Sequence, residues 1–284
     1  MDEKKGVLAI DMGGTYCKAS FLNSSFTALI SPFELPSPSN GNLVSFLNLI
    51  SQIYEKTVSQ RFHVEAILLS LPGPFDYQKG ISYSRHKFVS LYGIHLREEI
   101  AKKLSYQGDI FFEHDAIAFL EYMIFSKRIF ENSIAVTLGT GLGYAVYSSQ
   151  HIKRTKTLEP EYEIYNFPYL GKTMEDYFSA RGLLSFYHGK EKYLTSLELF
   201  ENAQKDKDAI LAFSSFGKEL GRALRPFLEK EKARYLFLGG QVCKSKELFL
   251  PQLKNELKEI TVLVETEDHP SLKGLAYGYY EKRN

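Results

Sequence analysis

Tryptophan is absent from the 284 residues, cysteine occurs twice and methionine four times. Cys17 and Cys243 are too few for a disulfide framework or an all-thiolate metal site. Charge of one sign is missing as well, because 35 Lys and Arg stand against 34 Asp and Glu, a formal net charge of +1. That balance lacks the electrostatic footprint of a nonspecific nucleic-acid binder, so no nucleic-acid partner is expected. Long apolar runs are missing too. The opening MDEKKGVLAID passes from charges into a short apolar stretch without the h-region and cleavage site of a signal peptide. No membrane partner is expected, and the reading is of a cytoplasmic chain. What is plentiful is apolar bulk. A hydrophobic content of 44%, with 19 Tyr and 21 Phe, can bury the core of one large or two medium domains.

Apolar runs predict strands at 6–10 and 18–22, joined by Met12-Gly13-Gly14-Thr15 into a hairpin with a glycine turn. Prolines and serines mark 32–38 as loop, and Leu43, Phe46, Leu47, Ile50, Ile53 and Tyr54 then recur at helical spacing. A strand at 64–69 runs into Ser70-Leu71-Pro72-Gly73-Pro74, a turn that neither a helix nor a central strand tolerates. After an irregular stretch at 82–92 come a helix at 96–104, a strand at 109–112 and a helix at 116–125. Asp115 therefore stands where a strand gives way to a helix, the edge at which ligands bind in open α/β sheets. Strands at 134–138 and 144–148 enclose a second glycine turn, Gly139-Thr140-Gly141-Leu142-Gly143. Gly139 stands 126 residues after Gly13, and the same offset pairs Ala9 with Ala135, Ile10 with Val136, Ala19 with Ala145 and Phe21 with Tyr147. This internal repeat suggests two similar lobes whose hairpins face a shared cleft. Helical spacing follows at 174–187, 196–203 and 208–229. A strand at 235–238 leads into Gly239-Gly240, then a helix at 245–257 and a strand at 261–264. Pro270 opens a final helix. Alternating strands and helices predict the α/β class.

Each motif has an ordinary reading beside its chemical one. In Asp11-Met12-Gly13-Gly14-Thr15 an acid ends a strand, and glycines let backbone N–H groups approach an anion. A plain hairpin turn needs glycine, but neither Asp11 before it nor Lys18 after it. The second glycine turn is not a dinucleotide fingerprint, since Tyr144 stands where glycine or alanine is required and a strand where a helix is required. Gly171-Lys172-Thr173 ends like a P-loop, but Asn166 occupies the first glycine position and no strand precedes it. Gly239-Gly240 lets a ribose or adenine lie on the backbone, or simply ends a strand. Asp115 is either a helix cap contributing about 1 kcal/mol or a general base supplying about 10²- to 10⁴-fold in rate. Glu159, Glu161 and Glu163, followed by Asn166, form a solvated acidic face or the carboxylates and amide that grip a sugar's vicinal hydroxyls. Glu175 opens a helix as a first-turn acid. His86, His95 and His114 lack HExxH spacing and read as ordinary polar residues.

Five segments occur in an order that resembles the ROK sugar-kinase family, within the actin-like ATPase superfamily. They are Leu8-Ala9-Ile10-Asp11-Met12-Gly13-Gly14-Thr15, Ser70-Leu71-Pro72-Gly73-Pro74-Phe75-Asp76, Glu113-His114-Asp115-Ala116, Thr137-Leu138-Gly139-Thr140-Gly141-Leu142-Gly143 and Leu238-Gly239-Gly240. The resemblance implies a two-lobed, ribonuclease H-like α/β fold with a central mixed sheet in each lobe. Its lobes would be 1–117 and 118–284, with a final helix at 270–281 packing back on the first. It implies transfer of the γ-phosphoryl group of ATP to a hexose, the 6-hydroxyl of glucose or a relative, with Asp115 as base. Asp11, Gly13, Gly14, Thr15 and Lys18 would form one phosphate loop, and Gly139, Thr140, Gly141 and Gly143 the other. Gly239 and Gly240 would form the adenosine loop, and Asp11 would approach Mg²⁺ through water. Pro72, Gly73, His114, Asp115, Glu163, Asn166 and Glu175 would meet the sugar. Three residues depart from the family pattern: Asn166 replaces a histidine, Tyr165 a glycine and His114 an asparagine. The family's zinc cysteines should fall between Asn166 and Glu175, where none stands, so no zinc is expected. That layout, with Gly171-Lys172, is also similar to the polyphosphate glucokinase branch. Other relatives are repressors with an N-terminal DNA-binding domain, for which a phosphate loop starting at Asp11 leaves no room, while the departures at His114, Tyr165 and Asn166 keep open a non-catalytic sugar-binding regulator of the same fold. Dimers are common among such relatives, so a homodimer is a further expectation.

Overall fold

The computed structural model describes residues 4–85 and 87–282. Two compact units result, one of Met1–Arg128, Arg154–Glu161 and His269–Asn284, the other of Ile129–Lys153 and Tyr162–Asp268. A division after residue 117 would cut a helix, Asp115–Lys127, which stays whole within the first unit.

Five strands form the first unit's sheet: β1 (Lys4–Met12), β2 (Tyr16–Leu22), β3 (Ala28–Pro36), β4 (Phe62–Leu71) and, further along the chain, β7 (Asp109–His114). The spatial order is β3-β2-β1-β4-β7, with β1, β2 and β3 antiparallel and β4 and β7 parallel to β1. A two-residue pair, β5 (Phe75–Asp76) and β6 (Ile81–Ser82), lies outside it. Helices α1 (Leu43–Val58), α2 (Leu96–Leu104), α3 (Asp115–Lys127) and the C-terminal α9 (Pro270–Glu281) complete the unit. Both faces of the sheet are covered, which is why its central strands read as unbroken apolar runs. Leu8, Ile10, Ile67 and Leu69 pack on one side with Phe46, Ile50 and Ile53 of α1 and with Leu96 and Ile100 of α2. Val7, Ala9, Ala66 and Leu68 alternate to the other side, against Ala118 of α3 and Leu272, Leu275 and Ala276 of α9.

Two expectations for this unit need correction. Residues 28–36 are a strand, although prolines marked 32–38 as loop. The strand is the outermost of the sheet, and its register slips between the pairs Ala19–Phe33 and Phe21–Ile30, so Pro32 falls in an irregularity that needs no N–H donor. β4 also runs through Ser70 and Leu71, and the turn begins only at Pro72.

The second unit repeats the plan. Its strands are β8 (Ser133–Leu138), β9 (Leu142–Ser148), β10 (His151–Ile152), β13 (Tyr235–Gly239) and β14 (Thr261–Val264), in the order β10-β9-β8-β13-β14. An antiparallel hairpin again leads into parallel neighbours. The internal repeat is therefore one of topology. Met12 pairs Cys17 across the first turn and Leu138 pairs Leu142 across the second, which is one residue tighter. The minor pair β11 (Pro168–Tyr169) and β12 (Lys172–Thr173) precedes α4 (Met174–Tyr177), α5 (Ala180–Leu183), α6 (Ser196–Asn202), α7 (Lys207–Lys230) and α8 (Lys246–Glu256). The helix expected over 174–187 is broken at Ser179, whose hydroxyl accepts from the backbone N–H of Gly182 and starts a new helix.

The crossing of α3 and α9 is close. A Cβ on Gly274 would be driven into the backbone carbonyl of Ala118. Gly274→Ala is expected to lower unfolding stability by about 1–3 kcal/mol, read as an earlier urea midpoint. An unchanged midpoint would contradict this packing.

Candidate active site

In the first unit, strand register assembles the candidate residues. Asp11 on β1 pairs with Ser70 on β4, Ser70 pairs with Glu113 on β7, and Leu71 pairs with His114. The strand ends carrying Asp11, Pro72-Gly73 and His114-Asp115 thus share one sheet edge, the carboxyl edge where α/β folds bind ligands. Both oxygens of Asp11 are held: the Ser70 hydroxyl donates to Oδ1 at 2.6 Å, and that of Ser271, in the first turn of α9, donates to Oδ2 at 2.7 Å. Each oxygen keeps a lone pair for a further donor. Cys17, one residue past the turn, is no thiolate, because burial and then the Asp11 charge push its pKa well up. The Gly14 carbonyl accepts from the Ser39 hydroxyl at 2.5 Å, and the Thr15 carbonyl from the Ser37 N–H at 3.0 Å. Lys18 stands opposite Asp11 in the hairpin register. Lys87, unnoticed in the sequence, brings its Cε within 3.7 Å of where a Cβ on Gly14 would be. It comes from the irregular 82–92 stretch, where no periodicity singles it out.

Asp115 is the first residue of α3 and His114 is its N-cap. The Ala116 N–H donates to Asp115 Oδ1 at 2.7 Å and to His114 Nδ1 at 3.2 Å, and those two acceptors lie 3.2 Å apart. The His114 ring sits edge-on to Tyr77. The Asp115 side chain, one oxygen on the Ala116 N–H, is 44% exposed. His95 precedes α2 with its ring 3.8 Å from Glu98, and His86 lies outside the described residues. Among the described residues, no group of three His, Cys, Asp or Glu side chains is arranged to hold a metal ion, and no helix is long and apolar enough to cross a membrane.

Behind the junction of β7 and α3 lies a buried charge cluster that sequence spacing did not reveal. Arg154 donates from Nη1 to Glu113 Oε1 at 2.7 Å and from Nη2 to Glu113 Oε2 at 2.9 Å, and its Nη2 also reaches Glu121 Oε1 at 2.9 Å. Lys282 Nζ is 3.2 Å from Glu113 Oε2. Burial pushes the Glu113 carboxyl up, but Arg154 and Lys282 more than reverse this and hold it below the ordinary carboxylate range. Burial, and then the Glu113 charge, push Glu121 up to about 8. Its Oε2 is buried without a hydrogen-bond partner, a placement that suits a neutral carboxyl and not an ion.

The second unit carries the remaining candidates. Gly139 N–H donates to the Gly141 carbonyl at 3.1 Å, and the Gly139 carbonyl accepts from Ala180 N–H at 2.7 Å. Thr140 lies in the same turn, and Gly143 pairs with Thr137 in the hairpin. A Cβ on Gly139 would meet nothing within 4 Å, so the space beside the turn is open. Gly239 ends β13 opposite Thr137, and Gly240 follows with φ of 93°, where an added Cβ would strike the Leu138 backbone. Only glycine lets the two loops abut this closely. Glu175, read as a sugar contact, accepts the Leu142 N–H on Oε2 at 2.9 Å and so braces the second turn. Its own N–H donates to the Tyr165 carbonyl at 3.0 Å, which brings the loop of half-buried Glu163 and exposed Asn166 against the start of α4. Glu159 lies instead in the first unit and accepts the Phe75 N–H at 2.8 Å.

The sequence profile of the ROK family matches residues 7–273. A glucokinase from Thermotoga maritima is 23% identical over 282 residues, covering 89% of this chain and 87% of that protein. Among solved structures, a ROK family glucokinase from Streptomyces griseus in complex with glucose and AMPPNP superposes with a TM-score of 0.79 at 18% identity, covering 95% of this chain and 98% of the other. A ROK family transcriptional regulator, a homologue of the E. coli MLC protein, also gives 0.79, at 16% identity over 96% of this chain and 77% of its own. The fold is that of the actin-like ATPases, a mixed α/β arrangement built on two mixed sheets.

The Glu121 carboxyl yields a stability prediction with a definite sign. Its folded-state pKa is raised from 4.5 to about 8, so its contribution is complete below 4.5 and is lost as pH rises through about 8. Glu121→Gln keeps the neutral shape at every pH. Its melting temperature is expected to gain on the wild type progressively across that window, and a difference independent of pH would contradict the assignment.

Proposed function

The chain belongs to the ROK family, and from that membership we propose that it is a sugar kinase that moves the γ-phosphoryl group of ATP to a hexose hydroxyl, the 6-hydroxyl of glucose or a close relative. The observation that carries the reading is the sheet edge where Asp11, Pro72-Gly73 and Asp115 stand together through strand register. The two glucokinases support the substrate class. The residues suit a nucleoside triphosphate: Gly139 has open space beside it, Lys87 lies along Gly14, and Asp11 is a strand-end acid with lone pairs to spare.

In this reading Gly13, Gly14 and Thr15 form one phosphate-binding turn, and Gly139, Thr140, Gly141 and Gly143 form another. Their backbone N–H groups donate to phosphate oxygens, where negative charge is spread over the equatorial positions in the transition state. Lys18 adds positive charge near the first turn, and Gly239-Gly240 offers a side-chain-free floor for adenosine. Asp11, its carboxylate oriented by Ser70 and Ser271, would hold the magnesium that accompanies ATP. Bound Mg·ATP supplies the electrophilic phosphoryl group and neutralises charge as the bond to the β-phosphate breaks. Asp115 accepts the proton of the sugar hydroxyl as its oxygen bonds to phosphorus. Pro72, Gly73 and His114, and likewise Glu163, Asn166 and Glu175, are read as sugar contacts, and exclusion of water from the transferring group prevents hydrolysis from replacing transfer. No step requires zinc.

Asp115→Asn is expected to lower kcat by about 10²- to 10⁴-fold while sugar still binds, measured by coupled ADP release. Near-normal turnover would remove Asp115 from the mechanism. His114, Tyr165 and Asn166, which depart from the family pattern, motivate a second reading, a non-catalytic sugar-binding regulator. A panel of glucose, mannose, fructose, glucosamine and the N-acetylhexosamines, each with ATP and with polyphosphate, separates the readings. Turnover with ATP supports the proposal, turnover with polyphosphate alone replaces the donor, and binding without turnover favours the regulator.

A further inference from the structure

The buried charge cluster lies directly behind the proposed base, and on the kinase reading it has a task that packing alone does not explain. Arg154 forks onto both oxygens of Glu113. Glu113 Oε1 also accepts the backbone N–H of the next residue, His114, at 2.9 Å. His114 is the N-cap of α3, with its ring nitrogen on the Ala116 N–H, and Asp115 is the helix's first residue. An unbroken set of contacts therefore runs from the guanidinium through one carboxylate to the backbone that aims the base. Glu113 is fully buried, so it has no water to replace a lost partner.

Arg154 arrives by an unusual route. Residues Arg154–Glu161 belong to the first unit, whereas the chain on either side of them belongs to the second. This strap is anchored by the Tyr77 N–H on the Thr157 carbonyl at 2.9 Å, the Phe75 N–H on Glu159 at 2.8 Å, and Leu158 against the first unit's core. It ends two residues before Glu163, the first residue of the proposed sugar motif. We propose that Arg154 is a positioning residue for phosphoryl transfer, acting through the Glu113 carboxylate to fix the aim of Asp115. The inference rests on the kinase reading for its function, and on the Arg154–Glu113–His114 geometry for its structure.

The test compares Arg154→Met, Arg154→Lys, Glu113→Gln and the Arg154→Met/Glu113→Gln pair with wild type, using ATP and the sugar on which wild type turns over. A misplaced base is expected to lower kcat of Arg154→Met by about 10²-fold, with the sugar KM within about threefold. Lysine keeps the charge and loses the fork, so its kcat should fall between the two. Because the pair acts as a unit, the double variant should lose no more than the single one. A folded Arg154→Met with kcat within about twofold of wild type, a loss confined to KM, or losses that multiply in the double variant would each overturn the proposal. If the methionine variant fails to fold, Arg154→Lys carries the same comparison. Wild-type inactivity with every sugar and donor would sink the kinase reading alone. The ring nitrogen resonances of His114 then decide the structural half: displacement in Arg154→Lys, with none in the surface variant Arg234→Met, upholds the coupling, and unmoved resonances overturn it.

Discussion

Parallel pairing of β1, β4 and β7 is the constraint on which the candidate site depends. Their register sets Asp11 beside Ser70, and Ser70 beside Glu113, so three chain segments that are distant in sequence end together. The register is held by burial on both faces, since a slip of one residue would exchange Leu8 and Ile10 for Val7 and Ala9 against α1. Small side chains on the other face, Ala9, Ala66 and Ala118, let α3 and α9 lie close to the sheet. That closeness brings Ser271 to Asp11 and Lys282 to Glu113. The C-terminal helix thus furnishes two polar contacts to the edge where the candidate chemistry lies.

The charge cluster behind that edge is a poor source of stability and a good source of geometry. Removing one partner of a buried ion pair costs about 3–5 kcal/mol, yet an apolar replacement of the whole set can be neutral or better. What apolar packing cannot do is fix a carboxylate at once against a guanidinium fork and a backbone N–H. Glu121 shows the limit of the arrangement: Arg154 has one fork to share, Glu113 takes most of it, and Glu121 holds its proton up to about 8.

Much of the fold was legible because its signals are local. Apolar runs marked the central strands, glycines marked both hairpin turns, and the offset between Gly13 and Gly139 marked a repeat that reappears as two sheets of the same strand order. Misreadings arose where neighbours outweighed local signals. Pro32 suggested loop, but an edge strand with slipped register accommodates it. Ser179 split an apolar helix because its hydroxyl offered the backbone a competing start. The site divides in the same way. Asp11 and Asp115 stood out as acids at strand ends, whereas Arg154, Glu121, Ser271 and Lys87 carry no signature in the chain and matter only through what folding places beside them. Glu175 was legible as a first-turn acid, but its bond to Leu142 N–H depends on a turn 33 residues away.

The central proposal is that Asp115 takes the proton of a sugar hydroxyl at the edge ordered by β1, β4 and β7. A crystal structure with sugar and a non-hydrolysable ATP analogue tests it most directly. The expected result is a sugar hydroxyl about 2.6–3.2 Å from the Asp115 carboxylate, with phosphate oxygens on the backbone N–H groups of Gly13 and Gly14. A sugar bound beyond the reach of Asp115, or phosphates away from Gly13 and Gly14, would contradict it.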